Sequence, residues 1–143
     1  MIACIGGAAF DRRGTLLVPL VAGASNYAEL REDFGGVARN VAQNLARLGC
    51  GVGLVSRVGD DESGRRLLCH AAASGVDISL VTVSGTRTAS YTAILDMGGE
   101  LVLGLDDFAI CEEITPAVLE PALPRLREYT FWFLDANLPG RTI

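Results

Sequence analysis

A pair of glycines followed by an asparagine is the stretch of this sequence best suited to holding a polar small molecule. Gly35 and Gly36 open a predicted helix, and Asn40 lies one turn into it. Glycine lets the backbone come within contact distance of a ligand, and the first N–H groups of a helix have no partner inside it. The Asn40 amide can both donate and accept hydrogen bonds, as sugar hydroxyls do. The stretch therefore favours a site for a ligand rich in hydroxyl groups.

An aspartate after the first predicted strand could complete such a site. Asp11 follows the apolar residues 1–5 and the turn Gly6-Gly7. Its carboxylate could accept hydrogen bonds from two neighbouring hydroxyls at once and so orient a diol. Taken singly, a glycine pair before a helix is commonly a turn, and an aspartate after a strand is commonly a loop cap. Both interpretations stay open for each residue considered alone.

The elements that must position these residues alternate between strand and helix. Apolar runs predict strands at residues 1–5, 15–21, 51–58, 78–83 and 130–134. Helical spacing of apolar residues predicts helices at 35–48, at 63–74 with Asp60 or Asp61 as cap, and from Thr115-Pro116 onward. Residues 88–95 and 100–105 flank the turn 96–99 and predict a hairpin, whereas the polar residues 22–34 predict a loop.

This alternation predicts an α/β fold with a mainly parallel sheet between helices. In open sheets of this kind, ligands bind beyond the carboxyl ends of the strands. Three polar features fall at such ends: Asp11, the pair Asp60-Asp61, and Asp135 with Asn137. We expect Asp60-Asp61 to cap a helix through a favourable interaction with its dipole, because the pair lacks the glycine-rich stretch that would cradle a phosphate group.

Length and composition limit the classes of function. The 143 residues suffice for one domain, half of them are apolar and 20% are charged, as in an ordinary globular protein. The net charge is −5 and no basic run occurs, which argues against nucleic acid as a partner and favours a neutral substrate unless arginines in the site override it.

No leader and no membrane-spanning run is evident, so we expect a cytoplasmic protein without membrane contact. The cysteines lack metal-ligand spacing and predict no metal site: Cys4, Cys50, Cys69 and Cys111.

Together these features resemble a known family. Residues 35–49 resemble the N-terminal signature of the ribokinase, or PfkB, family of carbohydrate kinases. Residues 5–11 look like the first strand of that family with its substrate-holding aspartate, and residues 57–64 are similar to its strand–helix junction. Residues 88–91 and 99–101 resemble the lid hairpin that closes over the sugar. The similarity extends along the whole chain.

The resemblance implies a fold as well as a site. It implies a ribokinase-like three-layer αβα sandwich with a central, mainly parallel sheet and a small β lid. Residues 1–143 would be the N-terminal portion of one such domain, with the C-terminal half absent and lid segments at about 14–24 and 87–106. In some members the lid sheets of two subunits pair, which makes a homodimer through the lid conceivable.

The resemblance also assigns roles to particular residues. Asp11, Gly36 and Asn40 would bind the ribose beside Gly35, and the lid around Thr88 and Tyr91 would exclude water from it. Asn137 or Asp135 could contact the sugar or its base from the sheet edge. The substrate-binding residues implied are therefore Asp11, Gly35, Gly36, Asn40, Thr88, Tyr91, Asp135 and Asn137.

The chain has no counterpart of the family's second signature, Asp-Thr-x-Gly-Ala-Gly-Asp. The catalytic aspartate, the glycine-rich anion hole and the site for ATP and Mg²⁺ are therefore expected in a C-terminal half. We expect the isolated chain to be the substrate-binding half of a sugar or nucleoside kinase and to be inactive alone. The alternative is a non-catalytic module that retains the sugar site or the lid for binding or dimerisation.

Within the family, the nearest resemblance is to pseudouridine kinases. Ser25-Asn26 ahead of the glycine pair, and residues 134–139, are similar to that subgroup. Two positions depart from it: Ala9 stands where the subgroup usually has asparagine, and Tyr27 where it tends to have proline. Loss of the amide at position 9 would remove one or two hydrogen bonds to a ligand and so bears on affinity and substrate choice.

Overall fold

The computed structural model describes all 143 residues, which form nine strands and four helices. The strands are β1 (Ile2–Ile5), β2 (Ala9–Leu16), β3 (Ala28–Gly35), β4 (Val52–Val55), β5 (Arg57–Gly59), β6 (Thr82–Ser84), β7 (Ala89–Leu95), β8 (Leu101–Asp107) and β9 (Phe131–Leu134). The helices are α1 (Val37–Arg47), α2 (Glu62–Ala73), α3 (Pro116–Leu119) and α4 (Leu123–Leu126), with 3-10 turns at Ala109–Glu113 and Glu120–Ala122. None of the helices has both the length and the apolar character needed to cross a bilayer.

Three parallel strands in the order β4-β1-β9 form the central sheet. Because side chains alternate along β1, Cys4 faces one side of the sheet, and Ala3 and Ile5 face the other. Cys4 packs with buried residues of α1 and α2, whereas Ala3 and Ile5 pack with Ile114 and Leu126 from the helices that follow β8. The sheet is therefore covered by helices on both faces, which confirms the predicted three-layer α/β arrangement.

The two long helices begin and end where the sequence indicated. Helix α1 starts after Gly36, at φ 89°, and the chain turns away at Gly49, at φ 81°. Helix α2 is capped by Asp61, whose carboxylate accepts a hydrogen bond of 2.8 Å from the backbone N–H of Gly64. A carboxylate at this position satisfies a free N–H and interacts favourably with the helix dipole.

A second sheet, which we call the outer sheet, has the strand order β3-β2-β7-β8. Strands β2 and β7 are parallel, and the other two pairs are antiparallel. The predicted hairpin is confirmed as β7 and β8. The predicted loop at 22–34 is wrong from residue 28 onward, and the strand expected at 15–21 is instead Ala9–Leu16. The error arose because β3 is mostly exposed and charged, so no apolar run marks it.

Two other predictions need correction in their extent. The strand expected at 78–83 comprises only Thr82–Ser84, paired with β5. The helix expected after Thr115 breaks into α3, a 3-10 turn and α4. Pro121 and Pro124 lie within this stretch, and proline cannot donate the backbone hydrogen bond that a continuous helix requires.

Candidate functional site

The carboxylate of Asp11 lies directly over the backbone of Gly35. In the outer sheet Asp11 of β2 is opposite Asp33 of β3 and beside Tyr91 of β7. A Cβ atom placed on Gly35 would be 2.2 Å from Oδ2 of Asp11, well inside van der Waals contact. Only glycine at position 35 therefore leaves room for this carboxylate, which explains one glycine of the pair.

A cavity of about 350 Å³ opens beside Asp11 on the outer sheet. Tyr91 also lines it, so two of the residues predicted from sequence meet there. The phenol oxygen of Tyr91 reaches across β8, 2.6 Å from the position that a Cβ atom on Gly104 would occupy. Most of the cavity wall is charged, and its lining residues are Asp11, Arg12, Arg13, Arg31, Glu32, Asp33, Tyr91 and Ala93.

The environment of Asp11 disfavours its charge. Burial raises the pKa of the Asp11 carboxyl, the nearby Asp33 raises it further, and the positive charge of Arg39 opposes both effects. A carboxylate held next to another carboxylate at the edge of a cavity gains from any ligand hydroxyl that donates to it. The position therefore suits binding better than it suits stability.

Gly36 allows two segments of backbone to pack closely. A Cβ atom on Gly36 would be 2.5 Å from Cα of Ala8 and from the carbonyl oxygen of Gly7. The turn between β1 and β2 thus packs directly on the start of α1, and its Gly7 carbonyl accepts a hydrogen bond of 3.3 Å from the backbone N–H of Arg39. Gly35 makes room for a side chain, whereas Gly36 makes room for the backbone.

Arg39 organises the start of α1 and was not singled out from the sequence. It is only 2% exposed, although arginine is rarely buried without partners. Its Nε donates to the carbonyl of Gly35 at 3.0 Å, and its Nη1 donates to Oε1 of Gln43 at 3.0 Å. Nη2 donates to the carbonyl of Phe34 and to Oδ1 of Asn40. Burial lowers the pKa of Arg39, while the charges of Asp33 and Asp11 oppose that change.

This network gives Asn40 a definite orientation. Because Oδ1 of Asn40 accepts from Arg39, its Nδ2 group remains as the free end, and it makes no hydrogen bond within the chain. Asn40 is exposed at the surface of α1. The Nδ2 group can therefore donate to a ligand, while Oδ1 is partly engaged by Arg39.

Thr88 is occupied by the scaffold in this structure. It is 5% exposed, and its hydroxyl donates to Oδ1 of Asp61 at 2.7 Å and accepts from the N–H of Gly59 at 2.9 Å. Burial would raise the pKa of Asp61, but hydrogen bonds from the backbone of Thr88 and Gly64 and from the Thr88 hydroxyl outweigh it and lower the pKa. Thr88 joins the start of β7 to the cap of α2.

Asp135 and Asn137 lie together on the other side of the glycine pair. Asp135 is 2% exposed, and its Oδ2 accepts from the N–H groups of Gly7 at 3.0 Å and Ala38 at 3.3 Å. Its Oδ1 accepts from the backbone N–H and the Nδ2 group of Asn137, at 2.9 and 2.8 Å. Asp135 thus fixes the end of β9 to the first turn of the chain and to α1, and neither residue lines the cavity beside Asp11.

No group of three or more histidine, cysteine, aspartate or glutamate residues is arranged to hold a metal ion. The residues predicted as substrate-binding therefore fall into three positions. Asp11 and Tyr91 line the cavity, with Gly35 packed against Asp11, and Gly36 and Asn40 belong to the start of α1. Thr88, Asp135 and Asn137 are held in hydrogen-bonded joints that fix the surrounding elements.

The chain is similar to known proteins in sequence and in fold. The family model of the pfkB carbohydrate kinases matches residues 1–127. The chain is 38% identical over 119 residues to the pseudouridine kinase of Escherichia coli, which covers 82% of this chain and 38% of that protein. It is similar to a solved carbohydrate kinase from Agrobacterium tumefaciens, with 37% identity, a TM-score of 0.90, and coverage of 99% of this chain and 47% of that one.

More distant solved structures share the fold. A ribokinase of Arabidopsis thaliana, solved with ribose and ATP, is 20% identical and superimposes with a TM-score of 0.85 over 96% of this chain and 46% of its own. The predicted ribokinase-like architecture is therefore confirmed, and the chain spans about two fifths to one half of the length of these relatives. On this evidence the chain belongs to the pfkB family of carbohydrate kinases.

Proposed function

We propose that this chain provides the sugar-binding part of an ATP-dependent kinase that phosphorylates a ribose hydroxyl of a sugar or nucleoside. The observation that carries the proposal is the Asp11 carboxylate lying over Gly35 at the edge of a cavity of about 350 Å³. A carboxylate with free lone pairs at the edge of a cavity is well suited to adjacent sugar hydroxyls. The similarity to a pseudouridine kinase makes pseudouridine the first substrate to test.

The residues around the cavity divide the binding between acceptors and donors. Asp11 accepts from two hydroxyls of the ribose, and the free Nδ2 group of Asn40 donates to a ribose oxygen. Gly35 leaves the room that the Asp11 carboxylate needs, and Gly36 lets the start of α1 pack against the turn between β1 and β2. Tyr91 on the outer sheet covers the bound sugar and excludes water from it, so the outer sheet acts as a lid.

Asp135, Asn137 and Thr88 support this site in the same proposal. Asp135 holds Gly7 and the start of α1 in place, which fixes the glycine pair relative to β9. Asn137 is exposed beside it and is available to a base or to the far side of the sugar. Thr88 anchors the first residue of β7 and so sets the position of Tyr91.

Transfer of phosphate needs groups beyond these. A base must take the proton from the attacking hydroxyl, and backbone N–H groups or cations must stabilise the charge on the transferring phosphoryl group. In this proposal the catalytic aspartate and the sites for ATP and Mg²⁺ come from further polypeptide. The isolated chain is therefore expected to bind its sugar and to show no phosphorylation of pseudouridine or ribose with Mg-ATP.

Titration calorimetry of the purified chain with pseudouridine and with ribose tests the proposal. We expect saturable binding of at least one of them, weakened about tenfold or more in Asp11→Asn, because hydrogen bonds to a charged group are lost. Asp107→Asn is the matched control, since it removes an exposed carboxylate from the same sheet and should leave affinity unchanged. Absence of binding, or equal loss in both variants, contradicts the proposal, and turnover that depends on Asp11 contradicts the expected inactivity.

A second candidate is a module that dimerises through the outer sheet. A row of apolar residues crosses all four strands on the face opposite Asp11, where Leu30 and Ile94 pack over Gly14 and Leu103 is paired with Ile94. Leu30 is 78% exposed and Leu103 is 50% exposed, and apolar rows of this kind commonly mark interaction surfaces. A two-fold dimer would bring this same face of two identical sheets together.

Analytical ultracentrifugation separates the two candidates. A dimer that dissociates in Leu30→Glu, while sugar binding persists, supports dimerisation as a property of the outer sheet. A dimer in a chain that binds neither pseudouridine nor ribose favours the non-catalytic module. A monomer at all concentrations contradicts the dimerisation surface.

A further inference from the structure

The buried guanidinium group of Arg39 has an acceptor for each of its N–H groups. Arginine carries five N–H donors in a planar fork and no acceptor. The five acceptors come from one strand and the two long helices: the carbonyl oxygens of Phe34 and Gly35, Oδ1 of Asn40, Oε1 of Gln43 and, at 3.5 Å, Nδ1 of His70. The guanidinium group is therefore fully occupied within the chain, and it has no donor left for a ligand.

These partners give Arg39 a single orientation. The ring of His70 on α2 stacks on Phe34 of β3, with ring centroids 4.4 Å apart and an angle of 20° between the planes. Because the guanidinium group can only donate, Nδ1 of His70 must accept, and the ring proton is on Nε2. Held from β3, α1 and α2 at once, the group cannot turn without breaking several hydrogen bonds.

The bond from Arg39 to Asn40 decides which end of the Asn40 amide is free. Asn40 is exposed, so water could satisfy its oxygen as well as Arg39 does, and stability alone does not explain the bond. The terminal torsion of asparagine is broad, and its oxygen and nitrogen ends exchange places on a half turn. A guanidinium donor accepts only the oxygen end as its partner. The network therefore fixes a donor where an unrestrained asparagine would present either end.

We propose that Arg39 is a positioning residue of the sugar site, which holds Oδ1 of Asn40 so that the Nδ2 group is left to donate to a sugar oxygen. This inference rests on the proposed function and adds to it a residue that does not touch the sugar itself. An amide that is already ordered saves the entropy of ordering it on binding, and the flipped orientation, which would present an acceptor, is excluded. Loss of the Arg39 fork should therefore weaken binding without removing a direct contact.

The charge of Arg39 provides a second link to the site. Burial and then Asp33 raise the pKa of Asp11, and the positive charge of Arg39 opposes them. A carboxyl group that stays ionised keeps all its lone pairs for sugar hydroxyls. The other ionisable groups on the elements packed around Asp11 and Arg39 are unchanged in an Arg39 variant: Arg12, Arg13, Arg31, Glu32, Tyr91 and His70.

Calorimetry with ribose and with pseudouridine on variants of Arg39 tests the inference. Arg39→Lys keeps the charge and loses the fork, and we expect affinity to fall about five- to tenfold, the size of one hydrogen bond. Arg47→Lys is the matched control, because Arg47 is an exposed arginine at the end of the same helix, and affinity should stay unchanged. Unchanged affinity in Arg39→Lys would overturn the inference.

The pH profile of affinity separates positioning from a merely structural role. Affinity should fall in acid, as Asp11 takes up a proton and loses acceptor capacity. In Arg39→Gln this fall should begin at higher pH than in the unaltered chain, because no positive charge at position 39 then opposes protonation of Asp11. In Arg39→Lys, and in His70→Gln, which keeps an acceptor beside Arg39 and does not titrate, the fall should keep its position. Coinciding profiles in Arg39→Gln and Arg39→Lys would contradict the inference.

Gln43→Met separates a loss of stability from a loss of position. It removes a different partner of Arg39, bound at Nη1 rather than at the nitrogen that holds Asn40, and it also removes the hydrogen bond from Gln43 to Ser74. We expect a lower melting temperature, as in Arg39→Lys, and an affinity close to that of the unaltered chain. An equal loss of affinity in Gln43→Met and Arg39→Lys would show that Arg39 has a structural role alone.

Asn40→Asp tests the orientation without altering the buried arginine. Aspartate keeps an acceptor for Arg39 and lacks the Nδ2 donor, so the melting temperature should be retained while affinity falls about tenfold or more. Full affinity in Asn40→Asp would overturn the inference. If the unaltered chain binds neither ribose nor pseudouridine, the proposed function and this inference are both wrong. If it binds one of them and Arg39→Lys binds it equally well, only this inference is wrong.

Discussion

The central sheet and the outer sheet of this chain are built in opposite ways. In the central sheet Ala3, Cys4 and Leu54 are completely buried, and helices cover both faces. In the outer sheet every residue of β8 is exposed, and β2 and β3 carry acids and arginines in facing pairs. One sheet removes apolar surface from water, and the other holds charges in positions that reduce its own stability.

This difference indicates that the two sheets contribute differently to stability and to ligand binding. Burial of apolar surface makes the central sheet the main source of stability, whereas facing like charges lower the stability of the outer sheet. In the proposed function, a bound sugar compensates the charge of Asp11. The regions meet at the glycine pair, where Gly36 packs on backbone and Gly35 packs on Asp11. Substitutions should therefore separate stability from binding according to the sheet they affect.

Truncation of Leu54 should have the largest effect on stability. Leu54→Ala removes a completely buried side chain of β4, and we expect it to lower the free energy of unfolding by about 3–4 kcal/mol. The matched change in the outer sheet, Leu103→Ala, affects a half-exposed side chain and should cost less than about 0.5 kcal/mol. Urea denaturation measures both values, and similar losses would show that the two sheets do not differ in this way.

The two glycines of the pair should differ in the same sense. Gly36→Ala introduces a Cβ atom against backbone at φ 89° and should lower the free energy of unfolding by about 2–3 kcal/mol. Gly35→Ala instead displaces the Asp11 side chain, so it should abolish sugar binding with a smaller loss of stability. Denaturation and calorimetry on both variants check the contrast. Equal loss of stability in the two would contradict it.

Glu113 lies in the 3-10 turn that follows β8 and is hydrogen-bonded to the two-stranded sheet β5-β6. Its carboxylate accepts from Ser84, Thr86 and Arg57, and these hydrogen bonds lower the pKa of Glu113 to about 2. A lowered pKa stabilises the folded state fully above the ordinary carboxyl pKa and loses that stabilisation as the pH falls toward 2. Glu113→Gln should therefore lower stability at pH 7 by about 1–2 kcal/mol and flatten the decline between pH 4.5 and 2.

Glu112→Gln is the control for this effect. The Glu112 side chain is 68% exposed and lies 3.9 Å from Arg141, so its loss should change stability little at any pH. Thermal melting of both variants across the acid range makes the comparison. A decline with acid that is unchanged in Glu113→Gln would show that other carboxyl groups control it.

Asp11→Asn should have a small effect on stability, and in the opposite direction. The pKa of Asp11 is raised, mainly by burial and then by Asp33, so ionised Asp11 destabilises the folded chain. The variant should be more stable at pH 7 by about 0.5 kcal/mol, the size of a like-charge cross-strand pair, although it binds sugar poorly. The gain should disappear in acid, where Asp11 itself takes up a proton. Lower stability at pH 7 would contradict this account of the outer sheet.

Local patterns in the sequence were sufficient to predict the central region. Apolar spacing predicted α1 and α2, and Asp61 was one of the two residues expected to cap the second helix. These features depend on residues close together in the chain, where periodicity and capping act directly. The glycine pair and Asp11 were predicted as binding residues from the family resemblance, and that role stays a prediction.

Long-range pairing explains what the sequence did not reveal. Strand β3 exists because it pairs with β2, and its own exposed residues carry no apolar signal. Thr88 is held by Gly59 and Asp61, more than 25 residues earlier, which no local pattern encodes. Arg39 has the composition of a surface residue, and only the convergence of several carbonyl and amide oxygens buries it.

The most direct test of the account is a titration of the isotope-labelled chain with pseudouridine and with ribose, followed by nuclear magnetic resonance. The account predicts that amide signals of Asp11, Gly35 and Tyr91 move on binding, while that of Leu54 in the central sheet stays in place. The same shifts should be lost in Asp11→Asn. Shifts confined to residues away from the glycine pair, or none at saturating ligand, would contradict a sugar site on the outer sheet.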